Sequence, residues 1–115
     1  MALHDDLPVF AKWYAFLQWL LPTTEKFPKR VRFTLTDRID NLALDVAEAL
    51  VEARYSRSKR AQLEAINRKL ERLRILLRLT HDLAVLPHRQ YEFAARSMDE
   101  VGRMIGGWIK QQDGA

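Results

Sequence analysis

Between Ser58 and Leu86 the apolar side chains return at alternating steps of three and four: Leu63, Ile66, Leu70, Leu73, Leu77, Thr80 and Ala84. That spacing keeps them on one side of an α-helix, whereas a strand would alternate at every second residue. Arg68, Arg72, Arg74 and Arg78 fall away from this seam, so the predicted helix is apolar on one side and cationic on the other. A second apolar row, Leu76, Leu79, Leu83 and Leu86, lies roughly a quarter turn from the first at about 100° per residue. One row serves the chain's own core. Two rows suggest a helix that also meets another subunit.

The flanking sequence repeats the pattern. Val9, Trp13, Phe16, Leu17 and Leu20 form an unusually aromatic stripe, widened by Phe10, Tyr14 and Leu21. Asp6 is placed to cap that helix and Pro8 to occupy its first turn; Pro22 is expected to stop it. Leu35, Ile39, Leu42, Val46, Leu50 and Ala53 mark a second helix entered at Pro28, with Ala43, Ala47 and Ala49 leaving room for a close neighbour. Ser56 or Ser58 can cap the third helix, and Tyr91, Ala94, Met98, Val101 and Ile105 followed by Trp108 or Ile109 mark the fourth. Gly102, Gly106 and Gly107 sit late in that helix, where each costs about 1 kcal/mol relative to alanine. They either end the helix or open it to tight packing, and Trp108-Ile109 directly afterwards favours packing. The prediction is all-α: one domain over residues 1–115, an antiparallel up-and-down four-helix bundle with helices at about 6–21, 28–54, 58–86 and 88–110. Trp13, Leu76, Leu79, Leu83, Leu86, Gly102, Gly106 and Trp108 are the residues assigned to contact between subunits.

Composition narrows the chemistry. There is no cysteine, which excludes disulfides, thiolate metal sites and thiol catalysis. His4, His81 and His88 lack the spacing of a zinc site, and His81 beside Asp82 reads as a helix-surface pair. No phosphate-cradling glycine loop, nucleophile elbow or HExxH helix is present, so neither enzymatic activity, nor a metal, nor a cofactor is expected. No apolar run reaches the roughly 18–20 residues of a membrane span, and Met1 to Pro8 lacks the basic start of a signal peptide. A cytoplasmic location is expected.

Charge adds a positive signal. The net +4 is unevenly spread: residues 1–53 carry −2, residues 54–78 carry +7 and residues 79–115 carry −1. A concentrated basic face is the footprint of phosphate contact, although a solvated helix face has similar composition. Lys26, Lys29, Arg30 and Arg32 crowd the start of the second helix, where the macrodipole disfavours cations; an anion docking there would account for them, as would splaying into water. Lys29, Arg30, Arg32, Arg54, Arg57, Lys59, Arg60, Arg68, Arg72, Arg74 and Arg78 are the candidate nucleic-acid contacts. Arg89, Arg96, Arg103 and Lys110 form a further row, which Glu92, Asp99 and Glu100 are placed to neutralise in part.

The block from Phe27 to Ile39, with Phe27-Pro28-Lys29 followed by Arg32-Phe33 and Leu35, resembles the "FPK-x-x-RF-x-L" signature of small prokaryotic four-helix-bundle proteins. Two branches share it: proteins encoded in intervening sequences of 23S ribosomal RNA genes, and the accessory variability protein (Avd) of diversity-generating retroelements. The ending Gly102-Arg103-Met104-Ile105-Gly106-Gly107-Trp108 is similar to the Avd branch. The likeness covers about Leu7 to Lys110. It implies a prokaryotic or phage-encoded, non-catalytic protein assembled into a homopentameric barrel with a positively charged surface. That ring would bind the retroelement's reverse transcriptase and template RNA or DNA and support mutagenic retrohoming. Asp37, Asp40, Asp45, Glu48 and Glu52 give the second helix an acidic outer side, which would either confine nucleic acid to one edge or dock the polymerase. The sister-branch role and a plain protein-interaction bundle without a nucleic-acid role are the alternatives.

Overall fold

The computed structural model describes residues 7–114. Four α-helices account for most of them: α1 (Pro8–Glu25), α2 (Asp37–Tyr55), α3 (Lys59–Asp82) and α4 (His88–Gly114). Among the described residues there is no strand, and no helix is long and apolar enough to cross a membrane. Helix α1 packs on α2, α2 on α3, α3 on α4 and α4 back on α1, which is the circuit of an up-and-down bundle with short connections. The bundle measures 47 × 27 × 23 Å.

Helix α1 keeps Pro8 at its start, where the missing N–H costs nothing. Leu7 stands at the cap position without a side-chain hydrogen bond; the expected cap, Asp6, lies outside the described residues. Contrary to expectation, α1 runs on past Pro22 for another turn. Proline sits there near the helix end, where one missing hydrogen bond is tolerable, and the hydroxyls of Thr23 and Thr24 donate to the carbonyls of Trp19 (2.7 Å) and Leu21 (3.2 Å). Val9, Trp13, Phe16, Leu17, Leu20 and Thr24 are buried. Trp13 is 0% exposed, and its indole N–H donates to the Ala43 carbonyl at 2.8 Å. That bond satisfies a donor whose burial would otherwise cost about 1–3 kcal/mol, and it ties α1 to α2. Trp13 is therefore a core residue, not a surface for a second subunit. Rings continue outward from Trp13 to Phe16 (4.9 Å), Trp19 (5.7 Å) and Phe93 of α4 (4.7 Å).

The second helix does not enter in α geometry at Pro28. A 3₁₀ turn, Lys29–Val31, is followed by a π turn, Arg32–Thr36, in which the Asp37 N–H reaches back to the Arg32 carbonyl. Across these turns Val31 and Leu35 face inward and Phe33 faces outward. From Leu35 onward the predicted stripe is buried throughout.

Before α3, Ser58 holds the cap position but makes no side-chain cap bond. The Ser56 hydroxyl instead accepts the Ser58 N–H at 3.0 Å, and Lys59 Nζ donates to the Ser56 carbonyl at 2.9 Å, so the turn is braced from within. Leu63, Ile66, Leu70, Leu73, Leu77 and Thr80 are buried as the seam predicts. The helix stops at Asp82, four residues before the expected end. Ala84 takes φ +61°, while the Val85 N–H bonds the Thr80 carbonyl (2.8 Å) and the Ala84 N–H bonds that of His81 (3.0 Å). This is a Schellman closure with alanine where glycine is usual. It turns Leu86 back over the core at 2% exposure, so Leu86 leaves the predicted subunit row and Ala84 leaves the seam.

Helix α4 passes through Gly106 and Gly107 without a break and buries Ala94, Met98, Val101 and Ile105. A Cβ at either Gly106 or Gly107 would meet nothing within 4 Å, so tight packing within the protomer does not explain them. At Gly102 a Cβ would lie 3.2 Å from Nη2 of Arg74.

Candidate nucleic-acid interface

The geometry divides the predicted cations into two groups. Arg74 is committed to the bundle: its guanidinium pairs with Asp99 of α4, lies 3.4 Å from Glu71 and donates to the Met98 carbonyl at 3.3 Å. Arg60 pairs with Glu64 at 3.5 Å, Arg78 approaches Asp82 at 3.8 Å, and Lys59 is held on Ser56. The Arg54 guanidinium sits 5.8 Å from the centroid of the Tyr55 ring. Lys29, Arg30, Arg32, Arg57, Arg68 and Arg72 are exposed, and none has a carboxylate in ion-pair range among the described residues.

These six fall in three places. Lys29, Arg30 and Arg32 stand on the turns that open α2, Arg57 stands in the α2–α3 turn at the other end of the bundle, and Arg68 and Arg72 project from the middle of α3. At 100° per residue Arg68, Arg72, Ile75 and Leu79 share one outward stripe. Its cationic half therefore continues into an apolar half, with Ile75 67% and Leu79 43% exposed and Leu83 exposed beyond the helix end. Leu76, from the predicted subunit row, packs partly against the core. Arg38, Asn41, Leu42 and Asp45 of α2 face Arg72, Ile75 and Leu76 of α3 across an open groove of about 460 Å³. Arg38 and Ile75 escaped the sequence reading, although a wheel centred on Arg68 and Arg72 points to Ile75.

The α4 row behaves differently from its expected neutralisation. Glu92 turns to His88 (3.4 Å), Asp99 to Arg74, and Glu100 to Lys12 of α1 (3.0 Å). Glu92 is taken by a histidine of its own helix and Asp99 and Glu100 by α3 and α1, and Arg89, Arg96 and Arg103 are left exposed. The expected His81–Asp82 pair is present and has further neighbours. His81 does contact Asp82 (3.1 Å), but its other ring nitrogen meets His88 Nδ1 at 2.9 Å, and its ring stacks on Tyr91 at 4.6 Å. Among the described residues no group of three or more potential ligands could hold a metal ion.

The acidic side of α2 is thinner than its sequence suggests. Asp40 points inward to the Thr24 hydroxyl at 2.6 Å. Burial pushes its carboxyl above the ordinary carboxylate value; the Thr24 hydrogen bond pulls it down, and the charge of Asp37 adds to the rise. Asp45 lines the α2–α3 groove, leaving Asp37, Glu48 and Glu52 on the open surface beside it.

A protein-family model described as bAvd-like matches residues 9–112, which spans all four helices and every cation placed above. The chain belongs to the bAvd-like family. The match agrees with the Avd resemblance of the Gly102–Trp108 ending and supports an Avd-type accessory protein. No curated protein and no solved structure matches it. In this bAvd-like protein the family match reaches across both the basic turns and the late glycines, so neither lies in a divergent extension.

Proposed function

We propose that this bAvd-like protein is a non-catalytic accessory factor of a diversity-generating retroelement. It holds the element's reverse transcriptase together with template RNA or its DNA copy while an error-rich copy is made for retrohoming. The observation that carries the reading is the set of exposed cations without a carboxylate partner among the described residues, Lys29, Arg30, Arg32, Arg57, Arg68 and Arg72, on a chain of this family. Such groups reach phosphates without reading bases, so binding is salt-sensitive and nearly indifferent to sequence. Arg74 stays with the bundle.

Several copies act together in this reading, in a ring of five as the Avd resemblance implies. Ile75, Leu79 and Leu83 supply the apolar contact, and Gly106 with Trp108 supplies a second closely approached face. Repetition of weak phosphate contacts around such a ring raises avidity without new chemistry. The test is light scattering of the purified protein, followed by co-purification with a reverse transcriptase from the same element. A mass near five times 13.5 kDa and retention of the polymerase support the reading. A monomer that retains neither polymerase nor RNA overturns it.

A further inference from the structure

We propose that Phe33 is a stacking platform for an unpaired base of single-stranded nucleic acid, a role that rests on the nucleic-acid reading above and gives it one specific contact. Phe33 is 80% exposed, more than any other large hydrophobic residue described. Val31 and Leu35, two residues either side, are buried in the core, and Phe33 faces outward between Arg32 and Thr34 at the start of the π turn. Wide helical turns of this kind cluster at functional sites because they re-aim one side chain.

The other exposed aromatic rings already have neighbours. Tyr55 has the Arg54 guanidinium near its ring, Tyr14 pairs with Phe10 at 6.2 Å, and Phe93 rests against Trp19. Phe33 has no ring or guanidinium partner among the described residues. Its surroundings choose the ligand. The stretch from Lys26 to Thr36 holds four cations and no acid. Lys29, Arg30 and Arg32, one to four residues before Phe33 in the same pair of turns, are all exposed. An apolar peptide would match the ring but not the cations, and a polyanion without bases would match the cations but not the ring. A single strand offers both, with phosphates for the side-chain charges and an unstacked π-face for the phenyl ring. A duplex keeps its bases stacked and gives the ring nothing.

The experiment compares wild type, Phe33→Ala, Phe33→Trp and Arg30→Glu. Each is titrated against a labelled single-stranded oligoribonucleotide, a duplex with the same number of phosphates, and inorganic polyphosphate, with the mass of each variant measured by light scattering. Phe33→Ala is expected to weaken single-strand binding about tenfold and to leave duplex and polyphosphate binding unchanged. Phe33→Trp should restore single-strand affinity, and Arg30→Glu should weaken all three ligands. Equal single-strand affinity for wild type and Phe33→Ala overturns the platform while leaving the basic surface standing. So does an equal loss on all three ligands. A change of mass in Phe33→Ala overturns it in favour of a subunit contact. Wild type that binds none of the three ligands overturns the platform and the nucleic-acid reading together.

Discussion

The Arg74 guanidinium of α3 lies over Gly102 of α4, so close that a Cβ at 102 would sit 3.2 Å from Nη2. The missing side chain gives Arg74 passage to the Met98 carbonyl and the Asp99 carboxylate one turn earlier on α4. A glycine that weakens its own helix thus admits an inter-helix bond. Gly102→Ala should leave stability nearly unchanged, because the gain in helix propensity, about 1 kcal/mol, is offset by displacement of the guanidinium. In an Arg74→Ala background the same change should deliver its full gain. Urea unfolding of the four members of the cycle measures that coupling, and additive effects would refute it.

Arginines in the two groups should respond oppositely to truncation. Arg74→Ala is expected to cost about 1–2 kcal/mol of stability, since it removes a charged donor from two acceptors, Asp99 and the Met98 carbonyl, and an ion-pair partner from Glu71, and to change RNA affinity little. Arg68→Ala and Arg72→Ala should stay within about 0.5 kcal/mol of wild type and each weaken RNA binding. Thermal melts and RNA titrations on the same preparations separate the two classes.

The left-handed Ala84 is a correctable cost. Ala84→Gly relieves a positive φ at the end of α3 without touching a contact that its methyl group makes to the core, because Ala84 is exposed. Stability should rise by about 0.5–1 kcal/mol. A loss in denaturant midpoint would mean that the turn adopts another conformation.

Much of this fold was readable from periodicity, and its failures have physical causes. The buried stripes of α2, α3 and α4 follow from spacing alone because each faces one continuous core. The end of α3 was hidden because its stop residue is alanine, a good helix former, where glycine or asparagine would have signalled it. Pro22 misled because proline's cost depends on how much helix follows it, and Thr23 and Thr24 help to satisfy the carbonyls nearby. The cation set was legible as charge and not as partnership. Nothing in sequence assigns Asp99 to Arg74 or Glu100 to Lys12, since both pairs cross between helices. That Phe33 lies off the Leu35–Ile39 stripe follows from spacing, but how fully the rest of the fold leaves it uncovered does not.

Asp40 gives the stability a pH dependence. Burial raises its folded pKa above the unfolded value, so in the pH window between the two the folded chain binds more proton than the unfolded chain. That contribution is fully present below the unfolded value and is lost as pH rises through the folded one. Asp40→Asn keeps an acceptor for Thr24 and removes the buried charge. It should raise the melting temperature at pH 7 by about 1–3 °C and leave it unchanged near pH 3. A melting temperature lowered at pH 7 would show that the carboxylate itself is needed.

Gly106 distinguishes the lone protomer from the assembly. With open space around its missing Cβ, Gly106→Ala should stabilise an isolated bundle by about 1 kcal/mol. If another copy packs there, the same methyl group should lower the assembly's mass while leaving the helix intact. Light scattering and circular dichroism on one sample read both.

The central claim is that the exposed cations without a carboxylate partner among the described residues carry phosphate binding. RNA affinity measured against salt concentration, for wild type and for Arg68→Glu with Arg72→Glu, tests it most directly. Log affinity should fall linearly with log salt, and the double variant should bind far more weakly, with a slope shallower by about 1.4–1.8 for each protomer that contacts the strand. An unchanged affinity and slope in a folded double variant would contradict it.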